Sequence, residues 1–232
     1  MQSSLDARLA SAAGYVRQGA VFADIGTDHA YLPIYLLQTG KISFAVAADI
    51  AEGPLSLARE NAKKHNLLHK MSFHLTDGLS SLSDLGITDI AICGMGGEMI
   101  SEIIGREEFV KNPDIRLILQ PMSKQDSLRR FLARAGFAIE SETLSCASGK
   151  VYSCICAHYT GKTYELTEGE YLTGKPRLQT DGDVKNYKTL LDKKCLSLTR
   201  RIQGKNISDS DTPELVALRE LEEKRRSLNE RI

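Results

Sequence analysis

The sequence predicts an α/β fold: five parallel strands alternating with helices, closed by a terminal hairpin and followed by a coiled-coil-like helical hairpin at the C-terminus. Three observations predict it. Between positions 21 and 135, five short apolar runs alternate with helical patterns, as repeated βαβ units require. After Gly136 two further strand-like runs follow with no helix between them. Beyond about position 180 the pattern changes again, to apolar residues seven apart among many charges.

Each element has its own signal. Leu5, Leu9, Ala12, Ala13 and Val16 repeat at helical spacing, so an amphipathic helix opens the chain. Val21 to Ile25 is a buried strand that turns at Gly26, and the helix from Ala30 to Leu37 is ended by Gly40. Phe44 to Ala48 is a second strand, closed by Asp49. Pro54 to His65 is a helix with proline near its first turn, where a missing N–H costs little. Met71 to Leu75 is a third strand, ahead of Asp77-Gly78. Asp89 to Cys93 is a fourth, followed by Gly94-Met95-Gly96-Gly97 and a helix. Arg116 to Gln120 is a fifth, followed by Pro121 and a helix from Ser127 to Ala135. Phe137 to Leu144 and Val151 to Tyr159, joined at Ser148-Gly149, make the terminal hairpin. Val184, Leu191 and Leu198, with Tyr187 and Ile202, line one C-terminal helix. After a polar loop from Gly204 to Asp211, Thr212 caps a second helix with Pro213 in its first turn. Leu215, Leu218, Leu221, Leu228 and Ile232 form that helix's stripe. The expected division is residues 1–161 as one domain and 162–232 as the helical hairpin.

Composition narrows the class. The 232 residues are 42% hydrophobic and 26% charged, which excludes a largely disordered chain. Thirty basic side chains balance thirty acidic ones, so net charge carries no information about a partner. There is no run of about 18 apolar residues and no secretory leader pattern, so neither membrane nor export is expected. Five cysteines without a C-x-x-C motif fit a reducing cytoplasm. His65/His69 and Cys154/Cys156 are paired at metal-like spacings but lack further ligands, so no metal is expected.

Ligands of open α/β sheets bind beyond the carboxyl ends of the strands. Here those ends carry Asp24-Ile25-Gly26-Thr27-Asp28-His29, Asp49, Asp77-Gly78, Gly94-Met95-Gly96-Gly97 and Gln120-Pro121. A dinucleotide fingerprint counted from Gly26 demands glycine at 28 and 31, where the chain has Asp28 and Tyr31. A carboxylate there repels a pyrophosphate, so NAD is disfavoured. S-adenosylmethionine has no phosphate, and its cations and ribose diol tolerate nearby carboxylates. Asp49 is placed for the ribose hydroxyls and Asp77 for the adenine amino group, while Gly26 allows close passage. Five parallel strands with a terminal hairpin are also the layout of Rossmann-like class I methyltransferases.

The motifs are more specific than the layout. Leu5-x-x-Arg8-Leu9, Ala23-Asp24-Ile25-Gly26-Thr27-Asp28-His29-Ala30-Tyr31-Leu32-Pro33, Asp49 with Gly53-Pro54-Leu55, Gly94-Met95-Gly96-Gly97 and Leu119-Gln120-Pro121 resemble the bacterial tRNA (adenine-22, N1) methyltransferase family over essentially the whole chain. The resemblance implies S-adenosylmethionine as donor, S-adenosylhomocysteine as product and adenine 22 of tRNA as acceptor. It implies a donor site from Arg8, Asp24, Gly26, Asp49, Ile50, Asp77, Gly78 and Gly94. Met95, Gly96, Gly97, Gln120 and Pro121 join Gly94 on the acceptor side. Asp28 and His29 are the candidate catalytic pair, a carboxylate beside the base that becomes cationic. A second reading of Asp28 is a helix cap, and a second reading of the glycines is a tight turn.

Between Lys185 and Lys205 stand seven cations against Asp192, a local +6 in a neutral chain. Lys193, Lys194, Arg200 and Arg201 are the candidate phosphate contacts, with the acidic second helix as a competing partner. A monomer or weak dimer is expected. The competing functions are an NAD-dependent oxidoreductase and a non-catalytic tRNA-binding protein with a nucleotide pocket.

Overall fold

The computed structural model describes residues 4–205 and 212–230. The alternating pattern folds into one seven-stranded sheet. In chain order the elements are α1 (Ala7–Tyr15), β1 (Val21–Ile25), α2 (Tyr31–Gln38), β2 (Phe44–Asp49), α3 (Glu52–Lys64), β3 (Met71–Leu75), β4 (Asp89–Gly96), α4 (Gly97–Gly105), β5 (Arg116–Ser123), α5 (Gln125–Arg134), β6 (Phe137–Ala147), β7 (Lys150–Tyr159), α6 (Glu168–Thr173), α7 (Asp181–Gly204) and α8 (Pro213–Asn229). The strand order is β3-β2-β1-β4-β5-β7-β6. The first five strands are parallel, and β7 runs antiparallel to both β5 and β6. The order reverses between β1 and β4, which opens a crevice above their carboxyl ends.

The sheet is apolar on both faces because helices cover both. One core, with Ile25, Ile90, Ile92 and Leu119, packs under α4 and α5. The other, with Phe22, Ala45, Ala47 and Ile118, packs under α1, α2 and α3. Asp89 is fully buried at the opposite end of the sheet from the crevice, where Arg17 satisfies it through its backbone N–H and its guanidinium.

Several boundaries differ from the sequence reading; β5 runs through Pro121 to Ser123, α5 starts at Gln125 and β6 extends to Ala147. α3 starts at Glu52 rather than Pro54, with the proline still inside the first turn. β4 runs on to Gly96, so the glycines end a strand instead of forming a loop. The short helix α6 was not expected, although Thr167 and Glu170 form the capping box that starts it.

The C-terminal apolar stripe is as expected on α7 and α8: Tyr187, Leu191, Leu198, Leu221 and Leu228 share one core. Ile232 and most of the loop from Gly204 to Asp211 lie outside the described residues. That third core also holds Leu144 of β6, so the helices rest on the sheet edge. Beneath α6 an ion pair joins Arg129 of α5 to Glu142 of β6, both nearly fully buried.

Candidate active site

Two cavities occupy the crevice and meet at Gly26. The first, about 370 Å³, is lined by Asp6, Arg8, Asp24, Asp28, Tyr31 and Gly94 among others. The second, about 210 Å³, is lined by Asp49, Ile50, Asp77, Gly78, Met95 and Arg106 among others. Together they fall in the ~300–1,000 Å³ range of small-molecule sites. Gly26 has φ +74 and lies against the Met95 methyl group, so any side chain there is both strained and obstructed.

The β1 turn carries most of the charge. Asp24 is buried, and burial raises its carboxyl pKa to about 6, with Asp49 adding to the rise. The nearby Thr27 hydroxyl offsets part of it, yet reaches no partner at full hydrogen-bond geometry, one of two such buried side-chain atoms among the described residues. Asp28 does not cap α2. The N-cap residue is Ala30, in a left-handed conformation at φ 55, and no side chain caps that helix. Asp28 is 70% exposed at the cavity mouth, with His29 Nε2 3.3 Å from its Oδ2. His29 in turn stacks on Tyr31, with ring centroids 5.0 Å apart.

Arg8 enters the first cavity from α1. Its Nη2 donates to Asp6 at 2.7 Å and its Nη1 to Gln120 Oε1 at 3.4 Å, and its guanidinium lies over the Tyr152 ring. Gln120 is fully buried and its amide is used on Arg8 and the Pro121 carbonyl. Gln120 therefore supports Arg8 and does not face the crevice. Tyr152 lies beneath Arg8, while Lys150 is exposed.

The glycines of β4 serve shape. The pairing of β4 with β5 shifts register at Cys93/Met95 and again at Met95/Gly96. Such bulges bend a strand end next to a site. Gly94 takes φ +82 there. A side chain at Gly97 would collide with the Lys124 carbonyl, which lets α4 start tight against the β5–α5 corner.

In the second cavity Asp49 Oδ1 accepts from the Ala51 N–H at 2.9 Å, which orients the carboxylate at the end of β2. Asp77 lies two residues past β3 and is paired with Arg106. Arg106 was not expected from sequence, because it lies 29 positions away at the far end of another helix.

A methyltransferase-domain family matches residues 5–155. The Bacillus subtilis tRNA (adenine(22)-N(1))-methyltransferase is 36% identical over 153 residues, 66% of this chain and 64% of that enzyme. The crystal structure of the B. subtilis m1A22 tRNA methyltransferase, 26% identical, superposes over 98% of both chains with a TM-score of 0.73. The chain belongs to the tRNA (adenine(22)-N1)-methyltransferase family.

Two further relatives are solved with a ligand bound. A Streptococcus pneumoniae methyltransferase structure in complex with S-adenosyl-L-methionine is 30% identical, with a TM-score of 0.77 over 94% of this chain and 99% of that one. The Mycoplasma capricolum member, solved with S-adenosylhomocysteine, is 26% identical, with a TM-score of 0.72 over 98% of this chain and 97% of that one.

On the methyltransferase's C-terminal helices the cations differ in availability. Lys193 and Arg200 are exposed and form no ion pair among the described residues. Arg201 pairs with Glu214 at 3.2 Å, and Lys205 approaches the same carboxylate. Lys194 is half-buried; burial lowers its ammonium pKa, which Asp126 opposes. The acidic compensation comes from Glu214, while Glu220 accepts from the Gly169 N–H. No helix among the described residues is long and apolar enough to cross a membrane.

Proposed function

We propose that this enzyme transfers a methyl group from S-adenosylmethionine to N1 of adenine 22 in tRNA. The observation that carries the reading is the pair of cavities meeting at Gly26, one lined by Asp49 and Asp77 and the other by Asp24 and Asp28. A carboxylate-rich site suits a cationic donor that has no phosphate. When bound, the donor supplies a methyl carbon made electrophilic by its sulfonium. Asp49 accepts from the ribose hydroxyls, Asp77 from the adenine amino group, and Asp24 faces the cationic methionine end.

N1 of neutral adenine has a free lone pair, so no side chain need remove a proton first. The protein must hold the base in line and stabilise the positive charge it acquires. Asp28, at the mouth and ordered by His29, fills that role. N1 lies on the Watson–Crick edge, so the nucleotide must be unpaired or extruded, at a cost of a few kcal/mol. Lys193 and Arg200 on α7, exposed and without an ion pair among the described residues, contact phosphates and offset part of this cost. The enzyme works in the cytoplasm as a monomer or weak dimer. The deciding experiment is methyl transfer onto unmodified tRNA, read as a primer-extension stop, since N1-methyladenine blocks pairing. A stop at position 22 supports the reading; product at another position or none rejects it.

Two donor-site results are expected. Asp49→Ala weakens S-adenosylhomocysteine by about 2–3 kcal/mol through loss of charge-assisted hydrogen bonds. Unchanged calorimetric affinity would remove Asp49 from the ribose site. The second result concerns pH. The folded protein binds Asp24's proton more tightly than the unfolded chain does, so this group favours folding at low pH and loses that contribution as pH rises from about 4 through about 6. A cation bound beside it favours the ionised form. Donor affinity therefore falls as pH drops below about 6, approaching tenfold per unit, and Asp24→Asn flattens that slope. Equal slopes for both proteins would show that Asp24 does not meet the ligand's cation.

A further inference from the structure

Arg106 is the cation of the second cavity, and fold stability does not account for it. It is the C-cap residue of α4. Its Nη1 donates to Asp77 Oδ2 at 2.9 Å, and its Nη2 lies 3.7 Å from Glu102 one turn earlier on the helix. Arg106 is 55% and Asp77 59% exposed, so their ion pair adds little to stability. The Asp77 loop is tied to the same helix end at two other points: Ser80 Oγ donates to Glu107 Oε1 at 3.0 Å, and Ile103 packs against Gly78. With the loop already anchored, the guanidinium acts on the direction of one carboxylate. Asp77 Oδ1 carries no hydrogen bond among the described residues.

We propose that Arg106 is a positioning residue for the adenine end of the donor. It holds Asp77 by Oδ2, and so presents Oδ1 to accept from the exocyclic amino group. Glu102, 3.7 Å from the other edge of the guanidinium, adds electrostatic attraction from the same helix. The inference rests on the reading that Asp77 faces the donor's adenine. Pre-ordering the acceptor lowers the conformational cost of binding, and it favours a purine with an amino group over one with a carbonyl at the same carbon. The carbonyl offers Asp77 no proton.

The test compares S-adenosylhomocysteine with S-inosylhomocysteine by calorimetry on the full chain. The wild type prefers the adenosyl ligand. Arg106→Ala lowers affinity for that ligand by about tenfold, roughly one charge-assisted hydrogen bond, while the inosyl ligand changes little, so the preference shrinks. Arg106→Lys, which retains a single-point pair, recovers part of it. Asp77→Ala loses the same preference, and adding Arg106→Ala to it takes away nothing more. An equal loss for both ligands means a general loosening of the loop and overturns the proposal, as does an unchanged preference. A wild type that binds adenosyl ligand without preferring it removes Asp77 from the adenine and overturns this inference, while the donor and the reaction stand. A wild type that binds neither ligand overturns the donor reading as well.

Discussion

Replacing Arg129 with methionine lowers the stability of the enzyme by about 3–5 kcal/mol, the cost of leaving a buried carboxylate without its partner. Arg129 and Glu142 are 0% and 3% exposed. Arg129 Nε and Nη2 both donate to the Glu142 carboxylate, the latter at 2.7 Å, and Nη1 donates to the Tyr171 carbonyl at 2.9 Å. The pair thus ties α5, β6 and α6 at one point. Gly174 lies so close to the Glu142 carboxylate that a side chain there would collide with it. Changing both partners to apolar residues of similar size, Arg129→Met with Glu142→Leu, recovers most of the loss, because no charge then remains buried. Urea midpoints for the two single variants and the double variant measure this. A loss below about 1 kcal/mol for Arg129→Met would mean that water reaches the carboxylate in solution. A double variant no better than the singles would mean that packing under α6, and not charge, carries the effect.

Asp28→Asn slows methyl transfer by about 10- to 100-fold while donor affinity is kept. The upper end matches the loss of one preorganised electrostatic group, and the carboxylate's exposure argues for less than the 10³-fold extreme. Asparagine retains an oxygen to accept from the adenine amino group and removes the charge that opposes the cation forming on the base. Because Ala30 is the N-cap of α2, the substitution breaks no cap and leaves the helix intact. The rate is read under single-turnover conditions on unmodified tRNA, with S-adenosylhomocysteine affinity as the control. A rate within about twofold of wild type would remove Asp28 from the chemistry. Loss of donor affinity in parallel would place it on the donor instead.

Much of the fold was legible because its signals are local. A parallel strand covered on both faces must be apolar along its length, so β1, β2, β4 and β5 read as short apolar runs. Strand ends then follow by counting, which placed Asp24, Gly26, Asp49, Asp77 and Gly94 around one crevice before any contact was known. Capping residues and prolines marked helix starts for the same reason.

What only the tertiary structure decided involves residues far apart in the chain. Gly94 to Gly97 read as an acceptor-side loop or, alternatively, a tight turn, but pairing with β5 extends β4 to Gly96 by two register shifts. The sequence places Gln120 at a strand end like the site residues, yet β5 runs on to Ser123 and the buried Gln120 side chain meets Arg8, 112 positions away. Arg129 looks like one more charge on an amphipathic helix until Glu142 and the Tyr171 carbonyl close around it. The free cations of α7 were likewise a matter of which side chains Glu214 reaches. In each case the deciding quantity is desolvation or a long-range partner, and both are properties of the assembled chain. Periodicity and turn chemistry, which act over a few residues, are properties of the sequence alone.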